Sequence, residues 1–323
     1  MSKLAEIRKK LIEQENRSKN TGGYADTTLF PFWNAETGTT STIRFLGDAD
    51  ESNVYFWRER QMIKLPFSGV KGGDEHKPIK VTVPCVEMWG DKCPIHDEIR
   101  PWFKDSAMEE MAKTYWKKRS YVFQGFVVDS AVKEESVPEN PIRRFLFTSE
   151  VFNIVKAALM DPDFPEIPTD YEAGTDFKLV KTTKGQYANW TTSAWARRER
   201  SLSEAEREHI VQYGLFDLNQ FLPKKPNEKE LEAIYQMFEA SVDGQLYDPD
   251  RFGEFYKPAG MAANSPQNDD VEDAINAAKV KDTPKPAVSK QKVEETVSAS
   301  SADDSGKKSA QDILAAIRNR KSS

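Results

Sequence analysis

Cysteine is nearly absent, with two in 323 residues. That is too few for a disulfide framework, so each must be a buried apolar side chain, a nucleophile or a metal ligand. Long apolar runs are missing as well. No stretch approaches the roughly 18–20 residues a bilayer span requires, and the opening MSKLAEIRKKLIEQENRSKN carries charges where a signal peptide would have its apolar core. A cytosolic protein with no membrane partner is expected. Also lacking are HExxH, GxxxxGK[ST], GxSxG and paired motif carboxylates, which argues against the common enzyme classes.

Aromatics are absent from both ends. All 35 lie between Tyr24 and Tyr256, so only that stretch has the large side chains to build a core. At about 150 residues per domain the length admits two domains, or one with tails, and the aromatic distribution favours the second. Residues 23–260 are read as the folded unit and 261–323 as a disordered tail, rich in Ser, Ala, Lys, Asp, Glu and Pro. Its acidic stretches, such as Asp269-Asp270-Val271-Glu272-Asp273, either mimic a polyanionic ligand, or address partner proteins, or merely solubilise. Residues 1–22 form a basic arm with Leu4, Ile7 and Leu11 at helical spacing. The net charge of −6 conceals an uneven distribution: the arm is basic, 201–260 is acidic and helical in pattern, and basic residues cluster beside aromatics in between.

Strands are predicted over 41–46, 53–64, 117–128, 142–147, 176–183 and 186–195, all aromatic and β-branched, with Lys184-Gly185 as a hairpin turn. Helix starts are predicted at Ser149, at a Ser203/Glu206 capping box and at Asn227 with Glu230. The fold class is therefore mainly β with inserted helices, α+β.

Both cysteines and two of the three histidines fall in the run HKPIKVTVPCVEMWGDKCPIH, as His76-x8-Cys85-x7-Cys93-x2-His96. Thiolate and imidazole donors suit Zn²⁺, and the two-residue spacing lets one turn present two ligands. Four protein ligands leave no open position, so one structural zinc is expected, pinning a subdomain over about 65–105 that otherwise has a thin core. The alternative is two buried thiols and two surface histidines.

Alternation along 117–128 places Lys117, Arg119, Tyr121 and Phe123 on one face. Cations followed by aromatics suit single-stranded nucleic acid, which offers phosphates and exposed bases. The same pairing recurs at Arg143-Arg144-Phe145 and from Trp190 through Trp195 to Arg197-Arg198. The candidate nucleic-acid contacts are Arg44, Arg58, Arg60, Trp102, Lys104, Tyr115, Trp116, Lys117, Lys118, Arg119, Tyr121, Phe123, Arg143, Arg144, Phe145, Trp190, Trp195, Arg197 and Arg198. For each aromatic the competing role is core packing.

Taken in order, Ile43-Arg44-Phe45-Leu46, VPCVEMWGDKCPIHDEI, WKKRSYVFQGFVV, FLFTSEVFNIVKAALM, GTDFKLVK and YANWTTSAW resemble the single-stranded DNA-binding, helix-destabilising proteins of T-even and related phages, over roughly residues 28–200. The resemblance implies an OB-fold core with a zinc subdomain, gripping single-stranded DNA during replication, recombination and repair in the infected host's cytoplasm. It implies an arm, with Arg8, Lys9 and Lys10, that contacts the neighbouring protomer, and a tail that recruits replication and recombination proteins. Lys117, Lys118, Arg119 and Ser120 match the family's basic-Ser/Thr motif, Cys85 and Cys93 match two ligands, and His96 stands where the family has its last cysteine. The family's upstream histidine has no equivalent in QMIKLPF, and the tail ends in RNRKSS rather than an acidic tip. Within 311–321, Leu314-Ala315-Ala316-Ile317-Arg318-Asn319-Arg320 repeats the order of Leu4-Ala5-Glu6-Ile7-Arg8-Lys9-Lys10, which either marks a second protomer contact or reflects shared composition. Two other functions stay open at this point: a zinc-stabilised RNA-binding or translation-regulating protein, and a zinc-dependent nuclease with Glu98 as the nearest base.

Overall fold

Seven antiparallel strands make one sheet in the computed structural model, which describes residues 27–258 except Glu135, Pro165 and Gln186. The arm 1–22 with Arg8, Lys9 and Lys10, the tail 261–323 and the motif 311–321 lie outside the described residues. The strands are β1 (Thr40–Leu46), β2 (Trp57–Phe67), β3 (Ile79–Pro84), β4 (Lys118–Asp129), β5 (Ile142–Thr148), β6 (Gly174–Val180) and β9 (Ala194–Arg200), while β7 (Thr182–Lys184) and β8 (Tyr187–Asn189) form a separate hairpin. Six α-helices accompany them among the described residues: α1 (Pro94–Ile99), α2 (Glu109–Tyr115), α3 (Ser149–Leu159), α4 (Glu204–Tyr213), α5 (Glu228–Val242) and α6 (Pro249–Phe252). The α+β class follows.

β4 organises the sheet. Its residues 120–126 pair with β5 along one edge, so the other edge is divided between β2, at 118–123, and β1, at 124–129. Gly125 sits where the partners change, and a Cβ there would lie 2.1 Å from the Arg44 carbonyl oxygen. Only glycine fits that approach.

Local chemistry explains where the strands depart from expectation. β2 begins at Trp57 rather than 53 because Asp48, Asp50 and Asn53 side chains accept the N–H groups of Asp50, Ser52 and Tyr55, giving that backbone an alternative to the ladder. The 176–183 run breaks at Lys181, whose buried ammonium donates to the carbonyls of Trp33 and Ala35. Asn189 accepts from Thr191 N–H and ends β8, and the chain re-enters the sheet as β9. A hairpin turn with Gly185 at φ 64° is present, but Lys184 is the last residue of β7, paired with Tyr187, rather than part of the turn. Both capping boxes form as expected, whereas Ser149 is the first residue of α3 and the cap position falls to Thr148, which makes no side-chain bond.

Two large apolar clusters result. One is aromatic, built from Phe45, Phe123, Phe145, Phe147 and Phe177 on the sheet with Phe30, Phe32 and Trp190. The other joins β2 and β3 to Cys85, Cys93, Ile95, Trp102 and Tyr115, and receives Ile234, Met237 and Phe238 from α5. The expectation of a thin core around 65–105 is therefore corrected: the acidic helical segment supplies an apolar stripe that fills it. Phe238 is 1% exposed and stacks on Trp102. Replacing Phe238 with Ala should cost about 3–5 kcal/mol, read as a lower urea midpoint at unchanged slope.

Candidate nucleic-acid interface and metal-ligand cluster

Cys93 occupies the N-cap of α1, with Pro94 in its first turn, and three residues on, one helical turn, His96 comes back toward it. Cys85 leads into the 3₁₀ turn Val86–Trp89, and its N–H donates to Gln61 O on β2. The result brings the donor atoms of Cys85, Cys93 and His96 within 4.8 Å of one another, all three buried, with Cys85 Sγ 3.7 Å from His96 Nδ1. A set of two thiolates and one imidazole fits a borderline-soft divalent ion such as zinc. His76 is not part of the cluster. It lies exposed before β3, its N–H bonded to Asp74, and the six residues of β3 span about 20 Å before the chain reaches Cys85. The four-ligand set with His76 is thus corrected to three clustered donors.

Electrostatics divide the two thiols. A hydrogen bond to Cys93 and then burial push Cys85 up, while that bond and the N–H groups of His96 and Ile95 hold Cys93 down. Burial also lowers His96, against the opposing pull of Glu87. Glu87 Oε1 is 3.0 Å from His96 Nδ1 and 2.9 Å from Arg100, and Oε2 accepts from Lys117 Nζ at 2.5 Å. Burial alone would raise this carboxylate, but bonds from Lys117 and His96 outweigh it and keep it below its ordinary range. The sequence reading passed over Glu87, although its position two residues after Cys85 was a visible signal. Glu98, the candidate base, accepts from Tyr235 Oη at 2.6 Å.

Beside this cluster lies an open cleft of about 800 Å³. Lys64, Lys80, Lys117, Lys118 and Arg119 line it with Trp116, Thr114, Thr148, Ser149, Pro66 and Glu150. The cluster and the cleft are contiguous, since Trp116 stacks on His96 at 4.4 Å and Lys117 N–H donates to His96 Nε2. Glu150 is the cleft's one carboxylate, its oxygens taken by Asn189 and the Trp190 N–H and its affinity for a proton raised by burial. Lys64 and Lys80 are additions to the expected set. They share a face because Lys64 pairs with Thr82 and Pro66 with Lys80 across β2 and β3.

The expected contacts separate sharply. Trp116, Lys117, Lys118 and Arg119 line the cleft; Lys104, Arg197 and Arg198 are exposed elsewhere, the arginines on edge strand β9. Arg58 is partly exposed and paired with Asp48 and Asp50. The others, apart from the half-buried Trp195, are corrected by burial. Phe123 and Phe145 are wholly buried, Tyr121 stacks on Phe152 at 3.6 Å, and Trp190 packs edge-on to Phe32. Trp102 stacks on Phe238, Tyr115 bonds Ser241, and Trp195 packs half-buried against Phe45 and Phe177. Among the cations, Arg44 is held by Asp176 and two carbonyls, Arg60 donates to Ser120, and Arg143 makes a two-pronged bond to Glu134. Arg144 lies over the Phe221 ring at 3.5 Å and donates to Thr28, its pKa lowered to about 9 by burial. β4 is buried on both faces from Ser120 to Phe126, so alternation marks no binding face along it; its two exposed residues in the cleft, Lys118 and Arg119, are consecutive and stand at the strand's start.

Among the described residues no helix is long and apolar enough to cross a membrane. The search of curated proteins finds no match for the chain. The family model described as gp32 DNA binding protein like matches residues 37–241, a span that contains the donor cluster and the whole cleft, and the chain belongs to that DNA-binding family.

Proposed function

We propose that this chain is a non-enzymatic, cooperative single-stranded DNA-binding protein. It coats DNA during phage replication, recombination and repair in the host cytoplasm. The observation that carries the reading is the cleft, where five cations and one stackable indole meet in a chain of net charge −6. Phosphates would lie against Lys64, Lys80, Lys118 and Arg119, with Trp116 offered to a base. Stacking of this kind contributes about 1–3 kcal/mol per base without sequence preference. In this reading the β1–β6 sheet serves as an OB-fold core, and Cys85, Cys93 and His96 hold a structural zinc. The ion would cross-link Cys85, beside β2, to α1, and so fix the ring on which Trp116 rests. The arm, through Arg8, Lys9 and Lys10, would contact the next protomer and the tail would recruit replication and recombination proteins.

The test is a titration of fluorescent oligo(dT), oligo(U) and duplex DNA at two salt concentrations, before and after chelation. Preference for oligo(dT), weakened by salt, is expected; equal binding to duplex would refute the reading, and preference for oligo(U) would make the target RNA. The repeated motif near the C-terminus adds a second expectation. Deleting 310–323 should change cooperativity on long single strands and leave affinity for a short oligonucleotide unaltered; identical cooperativity would refute a protomer contact there.

A further inference from the structure

Three donors leave one tetrahedral position without a protein ligand, and in Glu87 the chain carries a carboxylate at its edge. We propose that Glu87 is the fourth metal ligand, through Oε1, and that its other oxygen ties the metal to the DNA cleft through Lys117. The ligand assignment rests on the metal reading of the cluster alone, and the tie to the cleft rests on the DNA reading as well.

Distances support it. With bonds of about 2.0–2.1 Å to nitrogen or oxygen and about 2.3 Å to sulfur, tetrahedral donors stand about 3.3 Å apart for oxygen and nitrogen and about 3.6 Å for sulfur and nitrogen. Glu87 Oε1 is 3.0 Å and Cys85 Sγ 3.7 Å from the same His96 Nδ1. Both neighbours already converge on one nitrogen at near-ligand spacing. Glu87 is outside the three that cluster within 4.8 Å, so coordination asks a rotamer adjustment of a flexible side chain.

Binding of the ion through Nδ1 puts the neutral ring's single proton on Nε2, so the Lys117 N–H that Nε2 accepts without the ion is released when the ion binds. Charge agrees as well. Two thiolates and a carboxylate exceed a divalent ion by one negative charge, and Arg100 on Oε1 and Lys117 on Oε2 supply compensation. Such outer partners orient ligands and typically set metal affinity by 10–100-fold. Since Lys117 lines the cleft, the ion and the DNA share a residue.

Co²⁺ titration of the full-length chain tests this without reference to DNA. Wild type is compared with Glu87→Gln and Glu87→Cys, each checked for folding by circular dichroism. Wild type should bind one Co²⁺ with tetrahedral visible bands and thiolate charge transfer. Glu87→Cys should raise the charge-transfer intensity by about half, as three thiolates replace two, and Glu87→Gln should weaken binding by at least about tenfold. Charge transfer in Glu87→Cys equal to wild type overturns the assignment even if Glu87→Gln is weaker, because Glu87 would then be an outer partner only. Failure of wild type to bind Co²⁺ overturns both this inference and the metal reading. Oligo(dT) binding, scored separately, leaves the ligand assignment and the metal reading unaffected.

Discussion

Replacing Lys64, Lys80, Lys118 and Arg119 together with Ala should lower affinity for oligo(dT) by about 10²–10³-fold near 0.1 M salt and leave it nearly unchanged near 1 M. The reason is counterion release. Each phosphate neutralised on a single strand contributes about 0.7 to the slope of log K against log salt, so four lost contacts flatten it by about 2.8. The two lines converge as salt approaches 1 M. Lys117 is left in place because it holds Glu87, and its loss would mix a metal effect with a phosphate effect. All four substituted side chains border the cleft and none is buried, so thermal stability should shift little. An unchanged salt slope would exclude the cleft as the path of the DNA backbone.

What was legible in the sequence was local. Ser203 with Glu206, and Asn227 with Glu230, announce helix starts through atoms three residues apart, and both boxes form. Cys93-Pro94-Ile95-His96 likewise brings two donors together within one turn. Burial was less legible. Arg44, Arg143 and Arg144 read as surface cations because arginine is seldom buried, yet each is enclosed where Asp176, Glu134 or the Phe221 ring receives its charge. Those partners are supplied from 132, 9 and 77 positions away, and no pattern within a strand discloses them. Tyr121 and Phe123 follow the alternation as predicted, but a sheet covered on both sides turns an aromatic face into core. His76 failed for the opposite reason: spacing was counted in residues while an intervening strand, itself unrecognised, carried the imidazole away.

Arg44→Ala should destabilise the protein by about 3–5 kcal/mol, and this sets it apart from the cleft variant. Arg44 is 0% exposed on β1; its guanidinium donates to the carbonyls of Asp170 and Arg200 and faces Asp176 at 3.4 Å. Burial lowers its pKa, with Asp176 opposing, but an arginine so placed remains charged at neutral pH. Truncation leaves two carbonyls without their donor and a void between β1, β6 and β9. The damage should not be complete, because Arg200 also binds Asp176, at 2.7 Å, and grips Glu206 with two bonds. That second link carries a pH signature. Burial would raise Glu206, but Arg200 and Ser203 hold its pKa below the ordinary carboxylate value, so its contribution is full above the unfolded value of about 4.3 and is lost as pH falls through the folded one. Wild type should therefore lose stability below about pH 4, and Arg44→Ala, which leans at this junction on Arg200 with Asp176 and Glu206, should unfold at a higher pH. Urea denaturation from pH 3 to 7 measures both effects. In the folded fraction at neutral pH the oligo(dT) salt slope should match wild type, whereas a DNA-contacting Arg44 would lower the slope without the loss of stability.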